Sequence, residues 1–130
     1  MTGNEDKPLD VDQFLQDQID TVPHLEALLL LWNSRPKAWS VEEMGSGLFV
    51  ARESAKDILN DLLGRRLINP VPGAGETFRY ETEPDRDRLI AAVDSTYRQE
   101  LIRISRMIHS KPPAAVREFA RAFRVKKDRE

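Results

Sequence analysis

The chain of 130 residues is 40% apolar and 32% charged, a balance that fits one folded domain and excludes global disorder. It has no cysteine, which excludes disulfides, thiolate catalysis and cysteine-held metal, and its two histidines, His24 and His109, are too few for a histidine-rich centre. The net charge of −2 divides into −5 over residues 1–20, −1 over 21–110 and +4 over 111–130, so bulk electrostatics do not advertise nucleic acid.

The acidic opening "MTGNEDKPLD" lacks the basic character of a signal or transit peptide. From Val11 to Val22, Val11, Phe14, Leu15, Ile19 and Val22 fall near helical spacing, and Asp10 is placed to cap a short amphipathic helix. Pro23 suits the first turn of a second helix, through "HLEALLLLWNS", that Pro36 ends. That segment is apolar nearly all round, as the most buried helix of a small domain should be. Its run "LEALLLLW" is too short for the roughly 20 residues of a membrane span, so a cytoplasmic protein with no membrane contact is expected.

Ser40 followed by Glu43 is a capping box that opens a third helix, kept short by Gly45 and Gly47. The fourth helix runs from about Ala51 to Gly64, with Ala55, Ile58, Leu59 and Leu62 as one core-facing stripe. The period then shortens. "RLINPV" and "TFRYE" read as two strands around the turn "PGAG".

A single long helix is expected from about Pro84 to Ser110. Ile90, Val93, Tyr97, Leu101, Ile104 and Ile108 recur along it at steps of 3, 4, 4, 3 and 4 residues. Tyr97, Leu101, Ile104 and Ile108 either cover the domain's own core or, because the seam is longer than the hairpin it could cover, form a homodimer or meet a protein partner through the C-terminal helices, and the latter is the expectation. After Pro112 and Pro113, a last helix from about Ala114 to Phe123 sets Phe119 and Phe123 on one face and basic residues on the other.

The expected fold is mainly α with a small β-hairpin. It divides into an acidic arm over 1–22, a body over 23–83 and a helical end over 84–130. The order helix, short helix, helix, hairpin, helix is that of a winged helix-turn-helix. The stretch "LFVARESAKDILNDLLGRRLI" resembles the turn and recognition helix of winged-helix transcriptional regulators of the MarR type. Leu48, Val50, Ile58, Leu59, Leu62, Leu67 and Ile68 take the apolar places of that pattern.

The resemblance implies a DNA-binding regulator that reads the major groove with helix 51–64, or a winged-helix interaction module that has lost DNA. Three places depart from the pattern. Phe49 stands where the turn usually has glycine, Ala51 replaces the usual Ser/Thr cap, and Arg66 replaces the glycine before the wing. The wing tip "PGAGE" has no cation, and its Glu76 would repel phosphate.

On this reading Arg52, Glu53, Lys56, Asp57 and Asn60 form the solvent face of the recognition helix. They serve either as base-reading residues or as an ordinary mixed-charge surface, since they sum to zero charge. Arg65, Arg66 and Arg79 are the phosphate candidates. Neither histidine is expected to bind a metal, and no cofactor is expected. No triad, carboxylate pair or phosphate loop points to an enzyme.

Overall fold

A computed structural model describes residues 10–73 and 75–112 of the chain. Among them six helices and three strands follow one another: α1 (Val11–Gln18), α2 (Val22–Asn33), β1 (Trp39–Ser40), α3 (Val41–Leu48), α4 (Arg52–Gly64), β2 (Ile68–Pro70), β3 (Thr77–Tyr80), α5 (Pro84–Gln99) and α6 (Leu101–His109).

The local signals are realised as hydrogen bonds. Asp10 accepts the Gln13 amide at 2.9 Å and starts α1, which ends at Gln18 short of the expected Val22. Thr21 caps α2 by accepting the His24 amide at 3.3 Å, with Pro23 in the first turn. The Ser40–Glu43 box is reciprocal, at 3.0 and 2.9 Å.

The glycines of α3 allow close packing. A Cβ on Gly45 would lie 3.2 Å from the Val50 carbonyl oxygen and 3.7 Å from the Ala55 Cβ. One on Gly47 would meet the Trp39 ring at 3.1 Å. α3 therefore lies so close to the following turn and to Trp39 that a Cβ at either glycine needs its neighbour to give by a few tenths of an ångström.

The hairpin is a sheet of three strands in the order β1-β3-β2, antiparallel throughout. The added strand pairs Trp39 with Phe78 and Ser40 with Thr77. Two residues cannot show a period of two, and Ser40 already serves as a helix cap, so β1 left no readable signal.

The core is one cluster that joins α1, the central helices and sheet, and α5 and α6. Leu15, Leu28, Met44, Leu59, Ile90 and Ile104 are fully buried in it. Trp32 meets Tyr80 edge-on with ring centroids 5.1 Å apart, joining α2 to the sheet.

The single long helix expected from Pro84 is two helices, broken at Glu100 with φ −129° and ψ 45°. A straight helix over that range would extend about 40 Å. The break lets α6 turn back. Arg103 binds Glu100 at 2.7 Å and reaches Asp12 of α1 at 2.9 Å, and Lys111 donates to the Leu15 and Ile19 carbonyls. Ile104 and Ile108 thereby reach the same core as Ile90. The helix expected over 114–123, with Phe119 and Phe123, lies outside the described residues. No helix among the described residues is long and apolar enough to cross a membrane.

Candidate nucleic-acid interface

The geometry begins at the turn between α3 and α4. Phe49 closes α3 in the left-handed region, at φ 58° and ψ 44°, with its amide hydrogen-bonded to the Gly45 and Ser46 carbonyls. This is the place where glycine was expected, and the Phe49 side chain is 94% exposed. Arg66, the other replaced glycine, also has a positive φ of 62°. Ala51 precedes α4 without a side-chain hydrogen bond, so the first-turn amides lack a side-chain acceptor.

Burial of Ala55, Ile58, Leu59 and Leu62 decides which side of α4 faces out. Arg52, Glu53, Asp57 and Asn60 are exposed and Lys56 is half-buried. Arg52 donates through Nε to Glu42 of α3 at 2.7 Å, and its Nη2 lies 3.6 Å from Glu76 of the β2–β3 loop. Lys56 Nζ lies 3.5 Å from the same Glu76 carboxylate. The hydrogen bond from Arg52 holds the Glu42 carboxyl below its usual range, and the same bond raises the Arg52 guanidinium. Sequence reasoning missed Glu42, because nothing in a linear pattern connects positions 42 and 52.

The three phosphate candidates separate. Arg66 and Arg79 are exposed. Arg65 is tied inward, with Nη2 at 3.2 and 3.3 Å from the two oxygens of Asp20 and Nη1 at 2.9 Å from the Asp17 carbonyl.

Beside it, His24 is buried, with Nε2 2.8 Å from Asp61 and Nδ1 2.6 Å from Thr21 Oγ1. Asp20, His24 and Asp61 bring three possible metal-ligand atoms within 4.8 Å of one another. The Arg65 guanidinium already supplies a positive charge to that cluster.

Of the expected helical seam, Ile90, Val93, Tyr97, Ile104 and Ile108 are buried in the chain's own core. Leu101 is 48% exposed, and its neighbour Ile102 is 61% exposed. The seam residues are thus not brought together as one outward face. A cavity of about 360 Å³ opens between α2, the end of α3 and α5, where Glu26, Asp94 and Tyr97 stand opposite Leu48 and Phe49.

No protein-family model matches the chain, and no curated protein matches it. Solved structures do. A MarR family protein from Bacillus stearothermophilus superposes with a TM-score of 0.53 at 18% identity, over 92% of this chain and 81% of that one. MepR, a transcription regulator of the Staphylococcus aureus multidrug efflux pump MepA, gives 0.53 at 16% identity, over 90% and 84%. RV1404 from Mycobacterium tuberculosis gives 0.51 at 22% identity, over 90% and 78%.

The chain has a MarR-like winged-helix fold. At these identities the likeness concerns the fold. In that topology α3 and α4 are the two helices of the helix-turn-helix, and β2 and β3 form the hairpin after them, with Glu76 in the loop between the strands.

Proposed function

We propose that this winged-helix protein is a DNA-binding transcriptional regulator, acting in the cytoplasm through binding rather than catalysis. One observation carries the reading. α4 keeps its aliphatic stripe inward and offers Arg52, Lys56 and Asn60 to solvent beside a β-ribbon. An exposed helix of this kind fits the major groove, where Arg52 has the donors for guanine and Asn60 those for adenine. Arg66 and Arg79 are proposed as phosphate contacts, whereas Arg65, bonded to Asp20, is proposed to hold the fold.

A regulator of this fold is proposed to work as a symmetric dimer, with recognition helices about 34 Å apart on successive major grooves. The exposed Leu101 and Ile102 are the apolar residues of α6 available to such a contact.

The test is selection from a random-sequence duplex pool at low salt, followed by anisotropy titration. Micromolar protein is expected to enrich a common sequence. Arg52→Ala should cost about 1–3 kcal/mol on that sequence, and Arg79→Ala should weaken all sequences alike and lower the salt slope by about one. An unenriched pool with no binding at micromolar protein overturns the reading. The second reading, an interaction module without DNA, is favoured by the acidic partners of Arg52 and Lys56, and that negative result would support it.

A further inference from the structure

Glu42 and Glu76 are far apart in sequence, yet they converge on the two cations of the α4 face. Glu42 Oε1 takes the Arg52 Nε–H at 2.7 Å. Glu76 spans both cations, 3.6 Å from Arg52 Nη2 and 3.5 Å from Lys56 Nζ. Arg52 and Lys56 are four residues apart and therefore neighbours on the helix, which is what allows one carboxylate to reach both. Glu53 and Asp57 lie on the same exposed face. Around the α4 face the carboxylates of Glu42, Glu53, Asp57 and Glu76 thus outnumber the cations of Arg52 and Lys56.

The consequence follows from how DNA is bound. Generic affinity comes from cations replacing the counterions of phosphate, and that contribution has the wrong sign at the α4 face, which leaves it to Arg66 and Arg79. A base edge is different. Guanine O6 and N7 accept from an arginine without bringing a formal charge against Glu42 and Glu76, whereas a phosphate oxygen brings one.

We infer that Glu42 and Glu76 are specificity-determining residues. They withhold Arg52 and Lys56 from generic phosphate, so α4 engages DNA only where base edges replace the carboxylates. The inference rests on the DNA-binding reading, and it assigns to the wing a role opposite to that of a basic wing tip. Glu76 suppresses non-specific binding instead of adding to it.

The experiment compares two probes over a range of salt. One is a mixed-sequence duplex of about 30 base pairs, long enough for successive major grooves. The other is the duplex that the wild-type protein selects from a random pool. Glu76→Gln and Glu42→Gln should each raise affinity for the mixed-sequence duplex about two- to fivefold at low salt, as expected for removing an exposed pair. The logarithmic salt slope should steepen by about one for each cation released. Affinity for the selected duplex should change less, so the ratio between the two probes falls.

Glu53→Gln removes a carboxylate of the same helix that forms no ion pair with either cation, and it should do less. Equal gains from Glu53→Gln and Glu76→Gln would reduce the effect to bulk charge and overturn the inference. So would an unchanged mixed-sequence affinity in both paired variants while wild type still binds its selected duplex, and that result would leave DNA binding intact. Failure of every folded variant and of wild type to bind either probe overturns the DNA reading itself.

Discussion

Phe49 and Arg66 hold left-handed backbone that glycine adopts without strain, and each stands where a glycine was expected. The Phe49 ring is 94% exposed and so offers little burial to offset that strain. Phe49→Gly should therefore stabilise the protein by about 0.5–1 kcal/mol in urea unfolding. A loss of stability would show that the ring makes contacts that matter.

Tyr80 is the other residue whose environment can be measured directly. Burial pushes its phenol up to about 12, assisted by the hydrogen bond to Asp87 at 2.7 Å. Asp87 moves the other way. Burial pushes its carboxyl up, but the Tyr80 hydroxyl, the Glu83 amide and nearby Arg35 and Arg86 outweigh that and hold it low. Tyr97 is also raised, by burial and by Glu26.

Between its ordinary value of 10.0 and about 12, Tyr80 keeps its proton in the folded state and loses it in the unfolded chain. The stability it adds is complete below pH 10 and disappears as pH climbs to about 12. Absorbance at the phenolate band should show neither tyrosine of the folded protein titrating at the ordinary value. Completion of both by pH 10.5 would contradict this environment.

At the scale of elements, the two ends of the helix-turn-helix make opposite demands on small residues. Gly45 faces the Val50 carbonyl at 3.2 Å across the turn, and that oxygen belongs to backbone which cannot swing aside. Gly64, at the end of α4, has nothing within 4 Å of a Cβ. Gly64→Ala should raise stability by about 0.5–1 kcal/mol from helix propensity alone. Gly45→Ala gains the same propensity and should still lose about 1 kcal/mol or more, because the crossing of α3 and α4 must widen. Thermal melts of the two variants that move in the same direction would refute the close-packing explanation. In sequence Gly45 reads as helix-weakening and Gly64 only as a helix end, and the neighbouring backbone is what sets their opposite responses.

At the scale of the molecule, the helical end folds back onto the body instead of continuing away from it. Arg103 and Lys111 tie α6 and its end to α1, which places most of the expected dimer seam inside the protomer. A dimer through α6 would then depend on Leu101 and Ile102. Ile102→Asp should leave the melting temperature within a few degrees of wild type, since the side chain is already 61% exposed. It should also shift sedimentation from dimer to monomer at micromolar concentration. An unchanged sedimentation coefficient would place any dimer contact elsewhere.

Much of this was legible because it is local. The caps at Asp10 and Ser40, the stripe of α4 and the strand pair around "PGAG" each depend on residues within one or two turns. Backbone hydrogen bonding and amphipathic spacing make that information readable in one dimension. The winged-helix order, and which side of α4 faces outward, follow from it. The break at Glu100, the pairing of β1 and the acidic partners of Arg52 and Lys56 depend on segments that meet only after the core closes. Charge and close contact act through space, so Glu42 and Glu76 shared no signal with Arg52 and Lys56 until the fold brought them together.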